Sequence, residues 1–206
     1  MSAQLIHLKA SEALTTQQER ITKDAIFSGE ILIFPTDTLY GLGCDAFNAQ
    51  SVRKIAEIKE RSLGHPFSVH LGRIEEIESY AILTQYQQEL IKRLLPGPFT
   101  LLLEALTNAP APCVGMDGKI GIRVPKSNSF SKLYSVTGRP LMGTSVNVSD
   151  QPALTSIHQI ISLFSNKVNV IIVTDEIMSQ ESSSVIDLTT TPPKALRGEL
   201  PKSLLL

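Results

Sequence analysis

Hydrophobic residues follow two different spacings along this chain, and the two spacings alternate from one end to the other. Apolar residues recur every three or four positions, as in amphipathic helices, at residues 21–26, 52–56, 74–81, 129–137 and 157–164 and between Thr84 and Pro96. Short apolar runs typical of buried strands occupy residues 30–34, 67–71, 99–104, 119–124, 141–146, 170–173 and 184–188 and a site near Ala195. The alternation predicts an α/β protein.

The ends of the predicted helices carry recognisable signals. The four residues that start at Thr16 and the four that start at Thr84 each fit a capping box. Gly29 and Gly138 end two helices, because glycine readily adopts the conformation found after a helix. The last strands follow one another without intervening helices, which argues against a purely parallel sheet. We therefore predict a single α/β domain over residues 1–206, with a twisted, open, mixed sheet flanked by helices.

Composition excludes several classes of protein. Of the 206 residues, 42% are hydrophobic and 19% are charged, which is typical of a globular domain rather than a disordered or fibrous chain. The net charge of −1 gives no general attraction to nucleic acid. Cys44 and Cys113 are far apart and support neither a disulfide framework nor a zinc site. Without a membrane-length apolar run or a signal peptide, we expect a cytoplasmic protein.

One nucleotide-binding pattern is misleading. Residues 41–46 match the glycine pattern of dinucleotide-binding folds, but six residues separate them from the preceding strand. The acids about twenty residues later lie in a predicted helix instead of at a strand end. The chain also lacks a P-loop, a GxSxG elbow and an HExxH motif. The chain therefore carries no motif that supports a dinucleotide enzyme, a P-loop enzyme, a serine hydrolase or a zinc protease.

Residues 35–43 form the most unusual segment of the chain. They place two hydroxyls, a carboxylate and a phenol between a proline and two glycines, just after a buried strand. Ligands in open α/β sheets bind beyond strand ends, where loops present side chains. The same residue types also build turns that merely cap a strand. The pattern is compatible with either role.

Two cations lie at the end of the second predicted helix. Lys59 continues the inward-facing stripe of that helix, so its amine should meet an anion or extend past the helix end. Arg61 joins it if the helix stops, and Gly64 and Pro66 supply a stop. Converging lysine and arginine suit a triphosphate. The alternative is a pair of cations favoured by the helix dipole.

Two further strands place polar residues within apolar surroundings. His70 is either a binding residue or a structural histidine that bonds to backbone. Lys119, Gly121 and Arg123 share one strand face, and the glycine lets a ligand approach between the charges. An exposed edge strand protected by charge is the alternative. Residues 143–149 end another strand with small hydroxyl and amide groups suited to a purine or a phosphate.

Taken together, these segments resemble the YrdC-type threonylcarbamoyl-AMP synthase family. The resemblance covers residues 14–197, which we expect to form the core of the domain. It is carried by residues 35–43, Lys59-x-Arg61 with Pro66 and His70, and residues 96–100, 121–125, 145–149 and 183–187. Because the chain ends at Leu206, we expect the short form, without the additional C-terminal domain of the longer members.

The resemblance implies both an activity and a set of site residues. The family makes L-threonylcarbamoyl-AMP and pyrophosphate from L-threonine, bicarbonate and ATP with Mg²⁺ on the phosphates. The product is used by the machinery that forms t6A in tRNA. The implied threonine-binding residues are Thr38, His70, Arg123, Gly143 and Ser183. The implied ATP-binding residues are Lys59, Arg61, His65, Lys119, Ser145, Asn147 and Arg197, and the implied catalytic residues are Lys59, Arg61 and Arg123. No protein ligand to the metal and no covalent nucleophile are expected.

Several positions depart from the family pattern and keep alternatives open. Lys119 stands where the family often has a small hydroxyl residue, and residues 196–199 replace a Leu-Arg-Pro-Gly pattern. A YciO-like paralogue that acts on a related adenylate is one alternative. An RNA-binding module that uses the same basic concavity is another, although aromatic residues are scarce at 5%. Weak binding of tRNA or double-stranded RNA is compatible with the synthase as well.

Overall fold

The structure, a computed structural model, describes residues 2–60, 67–147, 151–201 and 204. The strands are β1 (Gln4–Leu8), β2 (Leu32–Phe34), β3 (Gly41–Asp45), β4 (Ser68–His70), β5 (Ala81–Ile82), β6 (Phe99–Ala105), β7 (Lys119–Arg123), β8 (Leu141–Ser145), β9 (Val170–Thr174), β10 (Ser184–Asp187) and β11 (Lys194–Arg197). The α-helices are α1 (Thr16–Phe27), α2 (Ala49–Ile58), α3 (Gln85–Leu94), α4 (Asn128–Thr137) and α5 (Ile157–Phe164). Short 3₁₀ helices cover Ile74–Ser79 and Ala111–Cys113.

The described strands form one mixed sheet. Its order is β1-β9-β2-β3-β8-β4-β7-β6-β10-β11, and β5 pairs with β6 beside β10. The pairs β1/β9, β9/β2, β4/β7 and β6/β10 are parallel, whereas the remaining pairs are antiparallel. The predicted fold, a single-domain mixed sheet flanked by helices, is confirmed.

The sheet separates two hydrophobic cores. Successive residues in and beside β2 point to opposite faces, so Ile33 joins one core while Leu32 and Phe34 join the other. Helices α1 and α4 cover the face that includes Phe34, and α2, α3 and α5 cover the opposite face. Within the described residues, no helix has the length and apolar character needed to cross a membrane.

Three strands of the sheet, β1, β3 and β5, were not predicted from the sequence. β1 lies at its edge and pairs only with β9 among the described strands. β3 contains Gly41 and Gly43, which we had expected in a flexible loop. Residues 41–45 form a strand because they pair with both β2 and β8. Glycine is required at positions 41 and 43 because an added Cβ would collide with the Phe34 ring and, at Gly43, with the Met142 backbone.

Helix boundaries also differ in detail from the predictions. The first capping box begins at Thr15, one residue earlier than predicted, because its hydroxyl accepts from the amide of Gln18. The box at Thr84 is confirmed. The segment predicted as a helix over residues 74–81 is a 3₁₀ helix followed by β5. Helix α2 ends at Ile58, before the glycine and proline that we expected to stop it.

Replacing Gly43 with alanine should severely destabilise the fold. The new Cβ would overlap the Met142 carbonyl oxygen and would lie 2.7 Å from the Phe34 ring. We expect Gly43→Ala to lose about 3 kcal/mol of unfolding free energy, at the upper end for overpacked sites. In Gly121→Ala the nearest atoms to the Cβ would be side-chain methyl groups at 3.3 Å and 3.4 Å, and the nearest backbone atom would be at 3.8 Å, an ordinary contact distance. Urea titration of both variants tests the difference, and equal losses would contradict it.

Candidate functional site

A cavity of about 290 Å³ lies on one face of the sheet. Its floor crosses the neighbouring strands β8, β4, β7, β6, β10 and β11. The ring of His70, in the floor, contacts Phe130 of α4, so the cavity lies on the face that α4 partly covers. The described lining residues are Thr36, Thr38, Leu39, Tyr40, Gly41, Phe67, Ser68, His70, Thr100, Leu102, Gly121, Arg123, Gly143, Thr144, Ser145, Ser182, Ser183, Val185 and Arg197.

The cavity brings together many of the residues that the sequence singled out. Those in the lining are Thr38, His70, Arg123, Gly143, Ser145, Ser183 and Arg197. Lys59, Lys119 and Asn147 are described but do not line it. Arg61 and His65 lie outside the described residues, so their roles stay predictions.

Arg123 provides a buried guanidinium in the floor of the cavity. Its Nη2 donates to Asp37 Oδ1 and, at 2.7 Å, to Thr38 Oγ1. Its Nε has no hydrogen-bond partner among the described residues. Burial lowers the pKa of Arg123, the Asp37 carboxylate opposes this effect, and Arg197 adds a further lowering. The described lining contains Arg123 and Arg197 but no Asp or Glu, so the cavity favours an anion.

A hydroxyl network fixes the loop that holds Arg123. Thr36 donates its hydroxyl proton to the Leu39 carbonyl at 2.7 Å. The Thr36 oxygen therefore accepts from the amide and the hydroxyl of Thr38, both at 3.1 Å. Thr38 Oγ1 is left as an acceptor for Arg123. Because these bonds form within the protein, the arginine is oriented before any ligand binds.

His70 adds a neutral imidazole to the cavity. Its ring makes an edge contact with Phe34, with centroids 5.7 Å apart, and packs against Gly143. An alanine Cβ at Gly143 would lie 2.5 Å from His70 Cε1, so the ring requires glycine there. Burial, with a contribution from Arg123, lowers the pKa of His70 to about 3. At neutral pH the ring is uncharged, and its buried Nδ1 lacks a partner among the described residues.

Ser183 and Arg197 form another polar part of the cavity wall. Arg197 Nε donates to the Ser183 carbonyl at 3.0 Å, and Nη2 donates to the Ser183 hydroxyl oxygen at 3.2 Å. The hydroxyls of Ser183 and Thr100 are 3.1 Å apart. Partial burial of its side chain lowers the pKa of Arg197, although the residue as a whole is exposed. These contacts link β10, β11 and β6 around one corner of the cavity.

Lys59 points inward, as its position in the helix predicted, but its described partners are carbonyl oxygens. The side chain is buried, and Nζ donates to Ser145 O at 2.8 Å, Asn147 O at 3.1 Å and Asn147 Oδ1 at 2.6 Å. The Ser145 hydroxyl also donates to Asn147 Oδ1, at 2.7 Å. Lys59 therefore holds the end of β8 where Ser145 enters the cavity wall.

Lys119 lies on the predicted face of β7 but does not reach the cavity lining. Its Nζ forms an ion pair with Asp187 Oδ2 at 2.9 Å. Gly121 and Arg123, farther along the same face, do line the cavity. The prediction from the shared strand face is therefore correct for Gly121 and Arg123, which line the cavity, whereas the amine of Lys119 pairs with Asp187 of β10.

Some lining residues were absent from the predicted site. Ser68 lies two positions before His70, and its hydroxyl donates to the Gly143 carbonyl at 2.9 Å. Thr100 lies in a segment that the family resemblance included, yet it was not singled out. Strand alternation could have identified Ser68, because residues two apart share a sheet face. Asp37, the acceptor for Arg123, has no such signal beyond its place in the unusual loop.

Within the described part of the chain, no group of three or more His, Cys, Asp or Glu side chains is arranged to hold a metal ion. The Asp37 carboxylate is instead paired with Arg123.

The fold and the cavity define an α/β protein with a polar, cation-bearing site for a small anionic ligand. The family model Sua5_yciO_yrdC, whose description is "Telomere recombination", matches residues 24–198. The chain belongs to this Sua5/YciO/YrdC family. The resemblance identified from the sequence is confirmed.

Individual relatives cover the chain to different extents. The threonylcarbamoyl-AMP synthase of Pyrococcus abyssi is 34% identical over 198 residues, which are 95% of this chain and 58% of that protein. The solved structure of P. abyssi Sua5 complexed with L-threonine has a TM-score of 0.87 and 33% identity, covering 95% of this chain and 57% of the other. Escherichia coli YciO has a TM-score of 0.87 over 99% of this chain and 100% of its own, but its 23% identity shows the fold alone. The chain thus spans under two thirds of the archaeal relative.

The neutral state of His70 should make stability depend on pH. The unfolded chain takes up a proton at the ordinary histidine pKa of about 6.5, whereas the folded chain resists protonation until about pH 3. Folding stability from this group is therefore lost as the pH falls below about 6.5. From pH 6 to pH 5, the unfolding free energy of wild type should fall by about 1.2 kcal/mol relative to that of His70→Gln. Urea unfolding measures it, and a constant difference would contradict the prediction.

Proposed function

We propose that this protein forms L-threonylcarbamoyl-AMP and pyrophosphate from L-threonine, bicarbonate and ATP. The observation that carries the proposal is the buried Arg123 guanidinium, which lines a cavity whose described lining contains no carboxylate. The name of the P. abyssi relative and the threonine bound to P. abyssi Sua5 support this choice of reaction and substrate. The shared family supports it further.

Threonine is proposed to bind with its carboxylate at Arg123. The Arg123 guanidinium lines the cavity and can donate to a carboxylate, and burial strengthens such bonds. Thr38, His70, Gly143 and Ser183 would surround the rest of the amino acid, as the family resemblance implied. The uncharged ring of His70 suits this role, because it adds a hydrogen-bonding group without repelling the substrate ammonium.

ATP is proposed to extend from the β8 end of the cavity. Ser145 lines that end, and Lys59 and Asn147 are bonded to it. Arg197 provides a cation on the wall formed by β11. Arg61, His65 and Lys119 complete the implied set, and Lys119 would have to leave its pair with Asp187 to contribute its amine. Mg²⁺ would be held by the phosphate oxygens.

In this reaction the protein's main tasks are to position the reactants and to neutralise their negative charge. The threonine amine adds to the carbon of bicarbonate-derived CO₂ and gives a carbamate, with release of one water. A carbamate oxygen then attacks the α-phosphorus of ATP, and the bond to pyrophosphate breaks. Arg123, Lys59 and Arg61 are the proposed catalytic residues, since fixed cations stabilise the charge that develops. The product would pass to the machinery that forms t6A in tRNA, and direct RNA binding would be weak.

Pyrophosphate release provides the direct test. With ATP and Mg²⁺, the protein should release pyrophosphate only when threonine and bicarbonate are both present. Omitting either one should reduce the rate to background. Release without threonine would indicate a different adenylate, as in a YciO-like paralogue, and the absence of release with the complete mixture would contradict the proposal.

Removing Arg123 should weaken threonine binding. Arg123→Ala should lose about 2–5 kcal/mol of binding free energy, which is about 30-fold or more in Kd. Arg139→Ala is a matched control, because Arg139 also pairs with an aspartate, Asp45, at 2.6 Å but does not line the cavity. Calorimetry should give the control a Kd within about twofold of wild type. Equal Kd values for Arg123→Ala and wild type would exclude Arg123 from the site.

A further inference from the structure

Residues 175–183, here called the strap, join β9 to β10 and cross the loop that orients Arg123. The amide of Ser179 donates to the Asp37 carbonyl at 3.1 Å, and the amide of Gln180 donates to the Thr38 carbonyl at 3.0 Å. The side chains of Asp37 and Thr38 are the acceptors of Arg123 Nη2. The strap therefore fixes the backbone of both residues that hold the guanidinium.

Glu176 attaches the strap to the start of α4. Its Oε2 accepts from the Ser129 amide at 3.0 Å and from the Ser127 hydroxyl at 2.9 Å. Its Oε1 accepts from the Asn128 amide at 3.0 Å. A carboxylate is favoured at a helix N-terminus, because unpaired amides point outward there. Burial opposes ionisation of Glu176, but these hydrogen bonds lower its pKa overall, so the anchor is charged at neutral pH.

The strap has few apolar contacts that could replace this anchor. Ile177, the residue after Glu176, is 95% exposed. Ser179, Gln180 and Glu181 are exposed as well, and Met178 is only partly buried against the core. Between the end of β9 and the two bonds to the Arg123 loop, Glu176 makes three of the four described hydrogen bonds to other segments, and Asp175 Oδ1 makes the fourth by accepting from the Ala10 amide at 2.7 Å.

We propose that Glu176 is a positioning residue that acts through the strap on the orientation of Arg123. When Glu176 is anchored, Ser179 and Gln180 hold the Asp37 and Thr38 carbonyls, and both side chains present their oxygens to Nη2. When it is released, the loop samples other conformations, and a ligand binds only the fraction with the correct geometry. The identity of that ligand, threonine, rests on the proposed function.

The variant Glu176→Gln tests the proposal with little change in shape. Its amide cannot reproduce the charge or all three accepted bonds, so amide exchange at Ser179 and Gln180 should become about tenfold faster, and the Kd for threonine should rise about tenfold, by a conformational penalty. The kcat at saturating threonine should change less than KM, since the chemistry is untouched once the loop is ordered. Hydrogen exchange by NMR, calorimetry and steady-state kinetics provide these values.

Thr15→Ala is the matched control, because it removes a helix cap from α1 without contacting the strap. Both its threonine Kd and its exchange at Ser179 and Gln180 should stay within about twofold of wild type. If Thr15→Ala weakens threonine binding as much as Glu176→Gln does, the effect is general instability and the positioning role is wrong. If Glu176→Gln exchanges faster but binds threonine unchanged, the role is also wrong.

Failure of the proposed function would give a different result. In that case wild type itself would not bind threonine. The effect of Glu176 on Arg123 would then be measured in the protein without a ligand. The NMR resonance of the Arg123 Nε–H group should then shift in Glu176→Gln and stay unchanged in Thr15→Ala. Faster exchange accompanied by that shift would support the positioning role. Unchanged exchange, or an unshifted resonance, would overturn it.

Discussion

The ion pair between Arg123 and Asp37 is the interaction on which the cavity depends. A buried guanidinium loses much of its hydration, and that cost is offset only by a nearby anion and good hydrogen bonds. Asp37 and Thr38 provide these at one edge of the guanidinium, and Nε remains without a described partner. The Arg123 guanidinium is therefore paired well enough for the protein to fold, and it can still bind a carboxylate. The loop at residues 35–40 and the strap are both arranged around this requirement.

The sheet makes room for this charge by placing small residues at selected positions of the cavity floor. Gly143 admits the ring of His70, and Gly121 leaves space beside Arg123. On the opposite face, the same strands carry large apolar side chains into the core beneath α2, α3 and α5, such as Val69 and Ile122. Alternation along each strand thus serves stability on one face and ligand access on the other.

The sequence predicted the fold class, the family and several cavity residues because the signals were local. Strand alternation identified Gly121 and Arg123, and the helical stripe correctly placed Lys59 inward. Other features depend on contacts between distant segments. β3 forms a strand because it pairs with β2 and with the distant β8, and Lys119 pairs with Asp187 of another strand. The strap could not be predicted from the sequence, because its bonds to the Arg123 loop are donated by backbone amides and do not depend on residue type.

The charge state of His70 constrains how the proposed reaction could proceed. The ammonium group of threonine must lose a proton before its nitrogen can attack carbon. An effective general base has a pKa near the working pH, and burial holds the pKa of His70 at about 3. The histidine is thus a poor proton acceptor, and the carboxylate of Asp37 is engaged by Arg123. Proton removal by bicarbonate or water, with the protein orienting the amine, agrees better with this cavity than acid–base catalysis by either side chain.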